Sequence, residues 1–470
     1  MTSASPPVVE RATGPCRIAV VTADVLTPKM AGPAIRAWHI ADALAAEHQV
    51  ELVTTTSSCD ISSDRFTVRS VTGNQLWSLE TWADVLVVQG FVLEDNAFLM
   101  SSSKVIVVDL YDPVHLEQLE LYRNEDADVR RETVRHATVV MNNQLRRGDF
   151  FVCATAKQRD FWLGQMSAVG RLNPLTYDED ETLRSLITVV PFGLAEQPPR
   201  HTRPALKGVV AGIGEQDEVI LWGGGIYNWF DQMTLIRAVG ALSSRRPSVR
   251  LFFMGLKHPN PDVPQMGGAA DARRLADDLG LTGKHVFFNE DWVEYEDREN
   301  YLLEADVGVS THLRHLETAF SFRTRILDYI WSSLPVVATE GDAFAELIDS
   351  AQLGLTVPVG DVDALEAALF RMLDDPELAA GCRANMETVR AEFNWSVVLA
   401  PLVDFCRRPR RAPDLVDRHM AAVLGGILAR PSPLAPLRRD LSLVRSHLRS
   451  GGVPLLVAKA RSRVSHLRAR

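Results

Sequence analysis

The stretch "RIAVVTADVLTPKMAGPAIRAWHIADALAAEHQVELVT", residues 17–54, decides the fold. It starts in a continuous apolar run, "RIAVVT" (17–22), and turns through a glycine-bearing loop, "PKMAGPAIRAW" (28–38). It then continues at helical spacing and returns to a second apolar run, "VELVTT" (50–55). Runs that are apolar throughout, rather than at alternate positions, belong to strands covered on both faces. That is the condition of a parallel sheet flanked by helices.

The same unit recurs along the chain. The first half adds "VLVVQ" (85–89), "KVIVVDL" (104–110), "FFVCA" (150–154) and "ITVVP" (187–191). The second half carries "VILWG" (219–223), "LFFMG" (251–255), "HVFFN" (285–289), "DVGVS" (306–310), "PVVAT" (335–339) and a weaker "LTVPV" (355–359). Strands alternating with helices in this way form α/β, doubly wound sheets. A length of 470 residues exceeds one core and argues for two such domains. The seam lies in the proline-rich "GLAEQPPRHTRPALKG" (193–208). The expected division is a flexible leader (1–16), a first Rossmann-like domain (17–200), a second (201–395), a closing helix (396–408) and a basic tail (409–470). Two facing domains leave a cleft at the carboxyl ends of their strands, where ligands of open α/β sheets bind.

Composition narrows the class. With 46% hydrophobic and 23% charged residues the chain is an ordinary globular protein, and no apolar run is long enough to span a membrane. The start, "MTSASPPVVERATGPC", lacks a basic segment followed by an apolar one. The cysteines, at 16, 59, 153, 382 and 406, are scattered and form no CxxC or Cys/His cluster. Such usage fits a reducing, cytoplasmic setting and no structural zinc. The net charge is −10, yet residues 407–470 hold 15 Lys and Arg against three acids, which leaves −22 on the rest. An acidic body argues against general nucleic-acid binding, whereas a basic tail invites an anionic partner. "DLVDRHMAAVLGGILAR" (414–430), "PLRRDLSLVRSHLRS" (436–450) and "PLLVAKARSRVSHLRAR" (454–470) are each amphipathic at helical spacing. Two readings stand side by side: helices lying on the inner face of an anionic membrane, or solvated or disordered basic segments.

The chemistry-bearing segment is "ETAFSFRTRILDYIWSSLPVV" (317–337). Ser321 reads as an N-cap, after which Ile326, Leu327, Ile330 and Trp331 share one helical face. Backbone N–H groups of Ser321, Phe322 and Arg323 would then open onto the cleft. Arg323 and Arg325 would deepen an anion site suited to phosphate, and Asp328, an acceptor one turn further in, suits paired hydroxyls such as those of a ribose. The plainer alternative is a surface pair between Arg325 and Asp328 beside a solvated Arg323. "WGGGIYNW" (222–229) follows a strand and precedes a helix, so Gly224 and Gly225 would let backbone approach a ligand. Gly32, next to Ala31, does the same after the first strand. Arg36 divides evenly between reaching the cleft and solvating its helix.

The segment 306–360, with "LDYIWSSLPVVATEGDAFAELI" (327–348) and "GLTVPVGDVDALEAALFRML" (354–373), resembles the nucleotide-sugar motif of retaining GT-B glycosyltransferases of family 4. "ILWGGGIYNWFDQMTLIRAV" (220–239), residues 17–54 and "VCATAKQRDFWLG" (152–164) resemble it too, so the likeness covers roughly 17 to 400. The resemblance implies that Asp328 takes the second acidic position, which binds ribose. The first falls on Phe320, leaving Glu317 to reach in from a turn away. The Arg and Lys that neutralise the diphosphate in this family fall on Gly225 and Phe230. Arg323 and Arg325 are the expected substitutes, with Lys257 a further one.

In "VVDLYDPVHLE" (107–117), Tyr111 replaces the family's histidine after the fourth strand. Asp112 or His115 would then orient or deprotonate an acceptor hydroxyl, although Asp112 also fits a turn before Pro113, and Asp109 stands alike. His312, Arg314 and His315 lie in "STHLRHLET" (310–318), near the sugar position that the resemblance implies. The implied activity is a retaining, metal-independent transfer of sugar from a nucleotide-sugar co-substrate to a glycan, lipid-linked or small-molecule hydroxyl, with no cofactor. Nucleotide-sugar epimerases and a non-catalytic assembly subunit share the fold and are the alternatives.

Overall fold

The computed structural model describes residues 14–261, 263, 266–417 and 419–420. The first sheet contains β1 (Arg17–Thr22), β2 (Gln49–Thr54), β3 (Thr67–Ser70), β4 (Val85–Gln89), β5 (Val105–Asp109), β6 (Phe150–Cys153) and β7 (Ile187–Val189). The second contains β8 (Glu218–Trp222), β9 (Val249–Phe253), β10 (Val286–Phe288), β11 (Val307–Ser310), β12 (Val336–Thr339) and β13 (Gly354–Val357). Their orders are β3-β2-β1-β4-β5-β6-β7 and β10-β9-β8-β11-β12-β13, and the strand pairings are parallel.

The apolar runs are buried as continuous strands require. β4 and β5 are buried at every residue, and helices cover both faces of each sheet. β3 is the strand that the apolar pattern did not mark. "TVRS" is a short edge strand, exposed to half-buried along its length, so it needs little apolar character. In each sheet the order reverses between two neighbours, β1 and β4 in one and β8 and β11 in the other. The carboxyl ends of these strands face a common cleft.

The chain crosses back after the second sheet. The expected closing segment 396–408 is two short helices, Trp395–Val398 and Ala400–Arg407, docked on the first domain. Phe405 stacks on Phe150 with ring centroids 4.1 Å apart, and Leu194 bridges to Asn394. The next residues stay on that domain. Arg171, fully buried, grips Asp414 at 2.8 and 3.2 Å, and Arg411 reaches Asp149 at 2.7 Å. The amphipathic expectation for 414–470, like most of the leader, lies outside the described residues beyond this start. Among the described residues no helix is long and apolar enough to cross a membrane.

Candidate functional site

A cavity of about 620 Å³ lies between the two domains at the ends of β1, β4, β5, β8 and β9. Its second-domain wall begins with the glycines after β8. Gly223 donates its N–H to the Tyr329 hydroxyl at 2.8 Å, and that hydroxyl lies 3.0 Å from the carbonyls of both Leu221 and Val309. One phenol thereby ties the loop to the helix Thr324–Trp331. The same ring covers Gly308, where a β-carbon would come within 2.6 Å of it. Gly224 sits at φ +82°, in the left-handed region that glycine tolerates.

The helix start differs from the sequence reading. Ser321 is not its N-cap: it ends a preceding five-residue helix, Leu316–Phe320, and donates its Oγ to the Thr318 carbonyl. The long helix begins at Thr324, with Arg323 as N-cap and no side chain capping it. The local pattern could not separate two helices joined by a bend. The uncapped N–H groups therefore open two residues later than expected, beside the cavity that Ser321 and Phe322 also line.

Both arginines face that cavity and both are buried, Arg323 at 6% exposure and Arg325 at 7%. Their surroundings separate them. Arg323 is held bidentately by the buried Glu317, at 3.0 and 2.8 Å, so its charge is balanced within the domain. Arg325 donates Nη2 to the Gly225 carbonyl at 3.0 Å, while its Nη1 has no partner. No carboxylate lies within ion-pair distance of it among the described residues. Burial lowers its pKa to about 10. Phe230 stands where the family resemblance would place a lysine, and both guanidinium groups stack over its ring, 4.8 and 4.0 Å from the centroid. Arg325 also lies 4.2 Å from the Trp222 ring. The aromatic floor fixes the arginine planes.

Asp328 lines the cavity and pairs with Arg298 at 3.1 Å rather than with Arg325. Arg298 lies sandwiched between Tyr295 and Trp331, 3.6 and 4.6 Å from their centroids. It is a third cavity arginine that no motif announced, because the 30 residues separating it from Asp328 carry no recognisable spacing. Glu317 does reach the cavity, as the resemblance implied, and Phe320 turns away to pack on Phe161 at 4.8 Å. Lys257 does not line the cavity, although its neighbour His258 does.

The first-domain wall carries Gly32, at the start of the helix Gly32–Leu44, together with Asp24, Asp112 and Glu117. Asp112 and Glu117 lie within hydrogen-bonding reach of one another. Burial, ahead of the Glu317 charge and against the Glu117 hydrogen bond, raises the Asp112 pKa to about 6. Burial and the adjacent Asp112 push Glu117 well above the usual carboxylate range. Glu117 takes no role in the sequence reading; its place five residues past Asp112, in the first turn of the helix Val114–Leu121, is the signal that would have found it. His115, on the same helix, points the other way. It stacks on Phe161 at 5.4 Å and burial lowers its pKa to about 4, so it neither lines the cavity nor suits a base near neutrality. Arg36 and Asp109 form a fully buried pair at 2.6 and 2.9 Å, with the remaining guanidinium donors on the Val190 and Pro191 carbonyls. They tie the helix Gly32–Leu44 to the end of β5 and to the segment after β7, and neither lines the cavity. His315 caps the short helix through Thr318 N–H, burial lowers His312 to about 4, and Arg314 is exposed; none of the three lines the cavity. Among the described residues no group of three His, Cys, Asp or Glu is placed to hold a metal.

Two parallel six- and seven-stranded sheets closing on a cleft, crossed by a returning C-terminal helix, define the GT-B architecture of glycosyltransferases. Within it, residues 217–375 match the model of the family described as "Glycosyl transferases group 1". A phosphatidyl-myo-inositol mannosyltransferase of Mycolicibacterium smegmatis is 28% identical over 169 residues, 36% of this chain and 39% of that protein, so the match spans well under half of the relative. Among solved structures, sucrose-phosphate synthase from Thermosynechococcus elongatus superposes with a TM-score of 0.59 at 16% identity, over 83% of this chain and 98% of that one. HepE of Anabaena, in complex with UDP and glucose, superposes with 0.59 at 14% identity over the same shares.

Proposed function

We propose that the chain transfers a sugar from a nucleotide-sugar donor to a hydroxyl acceptor, with retention at the anomeric carbon and without a metal ion. One observation carries this reading: Arg325 is a buried cation without a counter-ion, at the start of an uncapped helix, on the wall of an interdomain cavity. A guanidinium so placed is costly until an anion arrives, and a diphosphate matches its planar fork. That HepE is seen with UDP and glucose in the same architecture supports it.

In this reading the second domain holds the nucleotide sugar and the first the acceptor. Arg325, with Arg323 and the backbone at Gly224 and Gly225, faces the diphosphate. Asp328 takes the ribose, Glu317 the donor sugar, and Gly32 approaches from the opposite wall. The bond from the anomeric carbon to the diphosphate oxygen breaks, and charge grows on that oxygen, where Arg325 stabilises it. The acceptor oxygen bonds to the same face of that carbon, and its proton passes to the departing phosphate oxygen. Asp112 orients the acceptor hydroxyl. A cleft walled by both domains keeps water from the donor.

Titration calorimetry tests it. Nucleoside diphosphate is expected to bind wild type more tightly than the matching nucleoside. Arg325→Gln should weaken the diphosphate about 10- to 100-fold and leave the nucleoside within about threefold. Equal losses for both ligands, or no preference for the diphosphate in wild type, overturn the reading. Product formed from donor alone, as an epimer, would favour epimerase chemistry instead.

A further inference from the structure

We propose that the acceptor seated on the first-domain wall bears no phosphate or carboxylate next to its reacting hydroxyl: it is a neutral or amine-bearing sugar or polyol. This rests on the transferase reading above and concerns the half of the cavity which that reading assigns to the acceptor.

The charges lining the cavity are segregated by domain. Every arginine on its wall, Arg298, Arg323 and Arg325, comes from the second domain. Among the described residues, the first domain contributes no Lys, Arg or His to the lining and three carboxyl groups, Asp24, Asp112 and Glu117. The cations that the first domain does hold nearby are committed elsewhere. Arg36 is wholly buried against Asp109 and two carbonyls. Lys29 bonds Asp291 of the second domain across the rim. Arg123 pairs with Glu120 at 3.0 Å, and Lys157 lies over the Phe320 ring at 5.4 Å. None of them is turned into the cavity.

The carboxyl groups are not ion-paired within their own wall. Asp24 is 5% exposed, its Oδ1 accepts the Val25 N–H at 2.8 Å, and it also lies within hydrogen-bonding reach of the Asn260 side chain of the second domain. Across the cleft it meets His258, whose pKa burial lowers, so no fixed positive charge answers it there. Asp112 and Glu117 face one another, and burial raises the pKa of both. That wall offers hydroxyl and ammonium donors the acceptors they need and gives an anion no arginine or lysine to pair with in a poorly solvated space. Beside these groups Phe91, Val114, Leu121 and Phe192 add aromatic and aliphatic surface, as the apolar face of a pyranose or cyclitol requires. A phosphorylated acceptor would need an arginine or lysine fork on this wall.

The test uses the full chain saturated with its nucleotide-sugar donor, found by screening donors for release of nucleoside diphosphate. Matched acceptors are offered in sets: a hexose, hexoside or inositol, its aminated analogue, its monophosphate and its uronate. Neutral or aminated members are expected to turn over at least about 30-fold faster than their anionic counterparts. Asp24→Asn, which neutralises the carboxyl group of that wall lying outside the Asp112–Glu117 pair, should narrow that gap by raising turnover of the anionic members relative to the neutral ones, an effect that mere loss of folding would not produce. The proposal is overturned if an anionic member is preferred, or if donor is bound while no neutral or aminated member turns over. A chain that binds no nucleoside diphosphate would instead overturn the transferase reading itself.

Discussion

The second-domain wall of the cleft brings three arginines to the cavity, and the first-domain wall brings three carboxyl groups. Both domains share one strand order around the switch point and one way of presenting loops at strand ends. Topology therefore fixes where a ligand sits, while the side chains at those ends fix the sign of what it carries. The two walls also differ in how their charges are held. Arg323 is neutralised by Glu317 within its own domain and Arg298 by Asp328, so among the described residues Arg325 is the cavity arginine with no carboxylate partner to meet before an incoming anion. On the opposite wall no lysine or arginine answers the carboxyl groups, and burial raises the pKa of Asp112 and Glu117.

Breaking the buried pair should give the largest effect. Glu317→Ala leaves Arg323 uncompensated at 6% exposure and is expected to cost about 3–5 kcal/mol in urea unfolding. Glu317→Leu combined with Arg323→Met should recover most of it, since an apolar pair needs no counter-ion. If the single variant unfolds like wild type, the internal pairing that sets Arg323 apart from Arg325 is wrong.

A smaller effect sharpens the other wall. Because the folded-state pKa of Asp112 is raised to about 6 from 3.8, the folded protein holds this proton more tightly than the unfolded chain. Its contribution to stability is full at the acid end and is lost as pH rises towards 6. Asp112→Asn, which cannot ionise, should therefore match wild type near pH 4. Above pH 6 it should be more stable by about 1 kcal/mol, although slower in transfer. A difference that shrinks with rising pH would contradict the assignment.

The smallest effect is expected on the far side of the same helix. His115→Phe, filling the slot against Phe161 and Trp162, should leave transfer rates within about twofold of wild type at every pH. A lost acid limb in the pH–rate profile would restore His115 as a base.

Much of this molecule could be read from its linear pattern, for local reasons. Continuous apolar runs marked the buried strands of both sheets, because burial on two faces leaves no room for polar residues. The exception, β3, escaped because an edge strand with a solvated face obeys no such rule. Arg323, Arg325, Asp328 and the glycines after β8 stood out because they cluster within a few residues of a strand or helix end. Ser321 misled, since a serine ahead of an amphipathic run looks like a cap whether or not another helix ends there.

By itself, the sequence determined the doubly wound architecture and which loops would meet at the cleft, since hydrophobic period and turn residues act over short stretches of chain. The tertiary structure alone decided which charges are spent. Glu317 takes Arg323, Asp109 takes Arg36 and Asp328 takes Arg298, leaving Arg325 open. It also brought Glu117 against Asp112 and turned His115 away. Such pairing is settled by distances of a few ångströms between groups up to 73 residues apart, and no local spacing encodes them.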